Sequence, residues 1–313
     1  MEKTVIYGIL AGLISAVLQS CAYVSSALFL ERHRARALDL LCYTQFVQAL
    51  VSLPILFALI PHGALGDWEI WRANLYWLSI FCITQYSMFY AQRTVEPSKI
   101  ATWLGLKIAV LALLTSVWPL NGETVSAAQW GAIAITIAAV WLLNSSGGKR
   151  TGRAGFIAIM VFICVASLCD REQVFIMNIF SHKYGVSMME SGLLTLTLGY
   201  VSFGVIALGW ILRNSLSGES PRLTIAKLRD SSPFAFFWFT AMIAIYFCYG
   251  RLGPVFGNVV QSTRAVISVT VGFLAFRCLG LGVELAVPAS MWLRRLAAAS
   301  MMTAGIVLYS LLR

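Results

Sequence analysis

Uninterrupted apolar runs of about 20 residues follow one another along almost the whole chain, separated by short polar connections. A run of this length, wound as an α-helix, crosses the ~30 Å hydrocarbon core of a bilayer. The 313 residues are 59% hydrophobic and only 12% charged, about half the charged fraction of a soluble protein. The sequence therefore predicts an all-α, polytopic membrane protein.

The apolar runs and the residues that interrupt them predict ten transmembrane helices, connected by short loops. The polar segment "NSSGGKRTGR" at 144–153 follows the fifth run and divides one integral membrane domain into two halves of five helices, 1–146 and 147–313. The predicted spans are 4–30, 38–60, 71–92, 97–118, 126–144, 154–177, 186–212, 231–250, 254–276 and 292–312.

The net charge of +10 comes from basic residues in the short loops, which predicts no basic groove and no nucleic-acid partner. The loops after the odd-numbered spans, taken with the adjoining span ends, hold 15 of the 23 Lys and Arg residues, whereas the other side and both termini hold 5. Lys and Arg accumulate on the cytoplasmic side of membrane proteins. We therefore expect a multi-pass protein of the plasma or inner membrane with both termini outside the cytoplasm.

Three basic residues lie well inside predicted spans, away from the span ends, at Lys107, Arg171 and Arg264. When Pro97 is aligned with Pro254, Lys107 coincides with Arg264, each ten residues after its proline. Because each half has an odd number of spans, the halves must cross the membrane in opposite directions. This register predicts an inverted repeat, an arrangement in which transporters bind substrate at the interface of the repeats, near the bilayer midplane.

Lys107 and Arg264 both fall near the centre of their spans. A charge there costs ~3 kcal/mol on insertion scales, so each side chain should face a protein interior or a wet cavity. Polar residues recur beside Arg264 at helical spacing, and Trp103 lies one turn from Lys107. Tyr90 and Tyr249, near span ends, are interpreted as interfacial residues. The predicted substrate-binding residues are Lys107, Arg264, Gln261, Asn258, Trp103, Tyr86, Gln85 and Tyr246.

The sixth span carries three consecutive charged residues, Asp170, Arg171 and Glu172. Successive side chains on a helix point about 100° apart, so the three cannot all face one cavity. One acid could couple transport to a proton, or the group could form a structural ion pair. The sequence does not distinguish these two roles, and it leaves open whether Asp170 or Glu172 faces the interior.

No motif predicts an enzyme, a cofactor or a metal site. There is no glycine-rich phosphate loop, and the three histidines and seven cysteines lack metal-ligand spacing. Glycine pairs at four-residue spacing, Gly8/Gly12 and Gly253/Gly257, allow helices to approach closely. They are compatible with packing within one chain or with a homodimer.

Residues around the fourth and fifth spans resemble the drug/metabolite transporter superfamily, in its ten-span EamA-like branch. The resemblance rests on Pro119, Gly122, Glu123, Gln129 and Gly131, with a weaker echo at Gly282 and Glu284. The resemblance implies a secondary transporter built from inverted five-span repeats. In the branches of that superfamily that carry phosphorylated sugars, basic residues on spans four and nine bind the anionic group of the substrate. Lys107 and Arg264 match that placement. Family members have cytoplasmic termini, unlike the orientation predicted from the charges.

Three functions remain compatible with the sequence. The first is alternating-access transport of a small carboxylated or phosphorylated metabolite, with proton coupling through the sixth span as an addition. The second is a flippase for a lipid-linked phosphate. The third is a membrane scaffold or receptor, in which Lys107 and Arg264 would pair with Asp170 or Glu172 and enclose no cavity.

Overall fold

The computed structural model describes residues 2–93, 95, 100–101, 103–119, 125–144, 152–219, 224–279 and 289–312. Within these ranges the chain forms ten α-helices and two short 3₁₀ helices, Ala64–Gly66 and Leu104–Leu106, and no strand. The helices are α1 Glu2–His33, α2 Ala37–Leu59, α3 Trp68–Gln92, α4 Lys107–Val117, α5 Ala127–Asn144, α6 Arg153–Tyr184, α7 Met188–Leu216, α8 Ile225–Gln261, α9 Arg264–Leu279 and α10 Ala289–Leu311.

Five of the described helices, α1, α2, α6, α7 and α8, are long and apolar enough to cross a membrane. Many of their large apolar side chains point outward, among them Ile14, Leu50 and Val205. Exposed apolar surface of this extent is unfavourable in water but favourable against lipid. The all-α class is confirmed for the described residues, and the five helices are consistent with an integral membrane protein.

The most extensive helix packing joins the two halves of the chain. Helix α1 lies against α8, α2 against α7, α3 against α6, and α5 against α10. Smaller contacts join α1 to α9 and α4 to α6. The halves are therefore interleaved, and α1, α3, α4, α6, α8 and α9 surround a common centre.

Helix α8 consists of two helical segments that meet at a kink at Gly253, at the predicted boundary between the eighth and ninth spans. Gly253 has φ 74° and ψ 162°, a backbone conformation that is readily available only to glycine. Pro254 follows. Proline has no backbone N–H to donate and its ring clashes with the preceding turn, so it breaks or kinks a helix. The predicted break thus appears as a sharp bend.

The predicted fourth and ninth spans are each interrupted at mid-length, a feature that the sequence analysis did not anticipate. A 3₁₀ turn, Leu104–Leu106, precedes α4, which begins at Lys107, and a turn at Ser262 and Thr263 precedes α9, which begins at Arg264. The hydroxyls of Ser262 and Thr263 donate to the carbonyls of Val259 and Val260, and such local bonds compete with the helical ladder. Each central cation therefore directly follows a turn that departs from regular α-helical hydrogen bonding, although the backbone at Trp103, Leu106 and Lys107 keeps helical dihedral angles.

Gly204 sets the distance between α7 and α2. A Cβ at this position would lie 2.0 Å from the Cβ of Ala49 and 3.2 Å from the carbonyl oxygen of Gln45. Gly204→Ala is expected to lower the free energy of unfolding by ~1–3 kcal/mol, because the added methyl overpacks the interface. Thermal unfolding in detergent measures the effect. Gly209→Ala is the matched control, since no atom lies within 4 Å of its Cβ position, and an equal loss in both variants would contradict this account.

Gly8 and Gly12 also lie at a helix interface within the chain. Cβ atoms there would meet Leu252 and Val260 of α8 at 2.7 and 2.8 Å. These two glycines therefore serve packing between α1 and α8.

Candidate functional site

A small cavity lies at the centre of the bundle, bounded by α1, α3, α4, α6, α8 and α9. It encloses about 50 Å³, room for a few water molecules at ~10–15 Å³ each. A metabolite would enter only after the helices move apart. The polar residues that line the cavity are Gln19, Tyr23, Thr84, Gln85, Lys107, Asp170, Tyr246, Tyr249, Gln261 and Arg264.

Lys107 forms an ion pair with Asp170 on one side of this cavity. The Lys107 Nζ lies 2.6 Å from the Asp170 Oδ2. The same oxygen accepts hydrogen bonds from the Tyr249 hydroxyl at 2.5 Å and from the Asn258 Nδ2 at 2.8 Å. No described residue donates to Oδ1 of Asp170. The kink at Gly253 makes this arrangement possible, because it brings Tyr249 and Asn258 onto one carboxylate from opposite sides of the bend.

Arg264 lies on the other side of the cavity and has a neutral partner. Its side chain is buried and donates from Nη1 to the Oε1 of Gln19 on α1. The guanidinium carbon is 5.7 Å from the centre of the Tyr23 ring, within the range of a cation–π interaction. The Arg264 Nε has no hydrogen-bond partner. No carboxylate among the described residues pairs with Arg264.

An amide network holds Gln19 in place. Ser15 accepts hydrogen bonds from the Nε2 atoms of Gln19 and Gln261, each at 3.3 Å, and donates to the carbonyl of Ala241 at 2.9 Å. The network fixes the Gln19 Oε1 toward Arg264 and links α1 to α8. A neutral amide orients the guanidinium without cancelling its charge.

The charges that line the cavity do not balance. Lys107 and Arg264 contribute two positive charges, and Asp170 contributes one negative charge. In a low-dielectric interior an uncompensated charge is unfavourable, and it attracts an ion of opposite sign. Among the described lining residues the site therefore carries one net positive charge.

The structure brings together seven of the predicted site residues. Lys107, Arg264, Gln261, Gln85, Tyr246 and Asp170 line the cavity, and Asn258 lies directly behind Asp170. Both polar atoms of the Gln85 amide are buried without a partner. Such groups are costly unless a ligand, water or movement satisfies them.

Trp103 and Tyr86, also predicted for the site, do not line the cavity. Gln85 occupies the inward-facing position of α3, so the adjacent Tyr86 points outward. Tyr86 is 44% exposed and stacks on Tyr90. Trp103 packs edge-to-face on Phe156, with ring centres 5.7 Å apart.

Arg171 and Glu172 are buried outside the cavity. The Arg171 Nη1 lies 2.5 Å from the Glu172 Oε1, and its guanidinium stacks over Trp118 at 4.2 Å. Of the three consecutive charges on α6, the structure places only Asp170 at the cavity.

Sequence reasoning missed two groups of site residues. Ser15, Gln19 and Tyr23 recur every four residues on α1, a polar stripe that would have been visible in the sequence. Tyr249 was interpreted as interfacial, but it is buried and donates to Asp170. Its position was misjudged because the kink at Gly253 brings Tyr249 beside Asn258 and Asp170.

No family model matches this chain, and no curated protein matches it. One solved structure, described only as "Crystal structure of protein", is similar at 14% identity with a TM-score of 0.64. The similarity covers 99% of this chain and 98% of the other. The chain therefore shares an overall fold with a protein of known structure.

Proposed function

We propose that this chain is a secondary membrane transporter that moves a small carboxylated or phosphorylated anion by alternating access. The observation that carries the proposal is Arg264, a buried cation in the central cavity whose partner is the neutral Gln19. An anion would supply the missing charge. The planar guanidinium matches a carboxylate or phosphate, and Lys107 adds a second positive charge.

The proposal includes ten membrane spans arranged as inverted repeats, residues 1–146 and 147–313. The first helix of each half, α1 and α6, has 32 residues. Aligning their ends places Gln19 over Asp170, and the proline register places Lys107 over Arg264. The two central contacts, Lys107 with Asp170 and Arg264 with Gln19, then correspond.

The helix contacts support the same symmetry. An exchange of the halves converts the α1–α8 contact into α6–α3, and the α1–α9 contact into α6–α4, and all four are present. The α2–α7 and α5–α10 contacts are converted into themselves. We propose that the halves rock about the cavity, with both termini outside the cytoplasm, as the distribution of Lys and Arg predicts.

The repeat is symmetric in position but not in chemistry, because Asp170 occupies the position that corresponds to Gln19. Asp170 therefore acts as an internal anion that holds Lys107 until substrate arrives. An anion bound by Arg264 and Lys107 would displace Asp170. The released carboxylate can then take a proton on Oδ1, which would couple a proton to each transported anion.

Asp170→Asn tests this coupling. Asparagine cannot take up a proton at this position, so exchange of anions across the membrane should persist while uptake driven by a proton gradient is lost. A pH-sensitive dye inside proteoliposomes, read together with labelled-anion uptake, measures both activities. Glu172→Gln is the control outside the cavity, and continued proton movement with anion uptake in Asp170→Asn would exclude Asp170 as the coupling group.

A lipid-linked phosphate is the second candidate substrate. An apolar groove of Trp103, Leu106, Ile137 and Trp141 runs along the outer surface beside the turn that precedes Lys107. A lipid chain could lie in such a groove while its phosphate reaches Lys107. The scaffold hypothesis expected both cations to be paired with acids, and Arg264 departs from that expectation.

A thermal-shift screen tests the proposal. Inorganic phosphate, small mono- and dicarboxylates, sugar phosphates and short-chain polyprenyl phosphates are added to the purified protein. A ligand at 100 times its Kd raises the stability by about 2.7 kcal/mol. Stabilisation by soluble anions supports the transporter, stabilisation by polyprenyl phosphates alone supports the flippase, and stabilisation by none of them argues against an anion site.

A further inference from the structure

An ion-pair cluster joins the C-terminal end of α1 to the beginning of α8. The Asp230 Oδ2 lies 3.1 Å from the Arg32 Nη1 and 3.0 Å from the His33 Nε2. The Asp230 side chain is largely buried, whereas the Arg32 side chain is 68% exposed. The other carboxylate oxygen of Asp230, Oδ1, lies 3.2 Å from the Nε of Arg229 on α8 itself. The residues that join the two helices, Arg32, His33 and Asp230, are the α1–α8 cluster.

A second cluster joins the C-terminal end of α6 to the beginning of α3. The Lys183 Nζ lies 2.6 Å from the Asp67 Oδ2 and 3.3 Å from the Glu69 Oε2, and the Tyr184 hydroxyl donates to Asp67 at 2.7 Å. The hydrogen bonds from Lys183 and Tyr184 lower the pKa of Asp67 below its ordinary value, so the carboxylate stays charged near neutral pH. These four residues are the α3–α6 cluster.

The clusters have the same construction. In each cluster the first helix of one half ends in a cation followed by an aromatic residue that can form a hydrogen bond. These two residues are Arg32 and His33 on α1, and Lys183 and Tyr184 on α6. Both members contact an acid near the start of the third helix of the other half. Arg32 lies 13 residues after Gln19, and Lys183 lies 13 residues after Asp170, so both clusters are ~20 Å along their helices from the central cavity.

The clusters lie at opposite ends of the bundle. The α1–α8 cluster contains Asp230, near the start of α8. The α3–α6 cluster ends at Tyr184, and Met188, four residues later, packs against Gly250 near the other end of α8. Asp230 and Gly250 are separated by ~30 Å along the helix, which is the thickness of a hydrocarbon core.

We infer that the two clusters are the opposing gates of the central cavity, a role that rests on the alternating access proposed above. Both clusters are closed in this structure, in agreement with a cavity of about 50 Å³. Opening the α1–α8 cluster separates α1 from α8 and exposes the cavity on the Arg32 side, whereas opening the α3–α6 cluster exposes it on the Lys183 side. Partly exposed ion pairs add little to stability, so each gate can open without unfolding its helices.

Cys169 provides a reporter, because it is buried and lines the cavity. In a variant whose other six cysteines are replaced by alanine, an anionic, membrane-impermeant methanethiosulfonate is added to one face of oriented vesicles. Asp230→Asn should raise the rate of Cys169 labelling about fivefold from the Arg32 side only. This is the population change expected from losing the Arg32–Asp230 ion pair, which joins α1 to α8, whereas the Arg229–Asp230 pair lies within α8. Lys183→Gln should do so from the Lys183 side only. Arg213→Gln and Arg251→Gln are charge-matched controls outside the clusters.

Arg32→Gln removes the other member of the Arg32–Asp230 pair and should open the same side, so a folding defect in one variant does not decide the test. Unchanged labelling in the cluster variants, or labelling that rises equally from both sides, would overturn the assignment. The assay needs no substrate. If Cys169 labelling rises from one side only but no anion binds, the gates stand and the proposed anionic substrate is wrong. If anions bind but labelling shows no difference between the sides, the anion site stands and the gates are wrong.

Discussion

Arg264→Gln is expected to weaken anion binding by about 100-fold, because a hydrogen bond to a charged group contributes ~1.5–3 kcal/mol and each 1.4 kcal/mol changes Kd about tenfold. Glutamine can still reach Gln19, so the fold should persist while the net charge of the cavity falls to zero. Titration of the best anion from the thermal-shift screen into wild type and variant measures the loss.

Two further variants separate charge from shape at this position. Arg264→Lys keeps the charge but loses the planar fork, and should retain part of the affinity. Arg213→Gln removes an exposed charge on α7 and should leave binding unchanged. Equal Kd values for Arg264→Gln and wild type would remove Arg264 from the site.

Breaking the buried pair at the centre should produce the second large effect. Lys107→Met leaves Asp170 charged without its cation, and removing one partner of a buried ion pair costs ~3–5 kcal/mol. The double variant Lys107→Met with Asp170→Asn removes both charges, while the asparagine can still accept the hydrogen bond from Tyr249. It should therefore recover much of the lost stability.

Unfolding of the single and double variants gives a double-mutant cycle, in which residues in direct contact deviate from additivity. We expect the double variant to be more stable than Lys107→Met and yet inactive in anion uptake, since the cation is gone. Additive losses would mean that Lys107 and Asp170 do not form the pair in the membrane. Recovery of anion uptake would mean that Lys107 has only a structural role.

The helical fold and the two central cations could be predicted from the sequence, because apolar length and an isolated buried charge are strong signals. Lys107 and Arg264 were conspicuous because each is a charged residue near the centre of an apolar span. Gln19 was less conspicuous, because the polar stripe that it forms with Ser15 and Tyr23 carries no charge. Its role also depends on the approach of α1 to α9, which comes from folding of the whole chain.

Other features depended on geometry that periodicity cannot supply. The ion-pair clusters join residues far apart in the sequence, such as Arg32 and Asp230, and Arg32 was counted only as one of the loop Lys and Arg residues. The 3₁₀ turn before Lys107 lies within the apolar sequence Leu104–Leu106, where a 3₁₀ turn and an α-helix have similar composition. Asp170 and Glu172 could be distinguished only once the rotation of α6 was known.

The most direct test of the central claim is uptake of radiolabelled anions into proteoliposomes by wild type, Lys107→Ala and Arg264→Ala. The account predicts saturable uptake of at least one carboxylated or phosphorylated metabolite by wild type and near-complete loss in each variant, with both variants still folded. Anion uptake that is equal in wild type and both variants would contradict it.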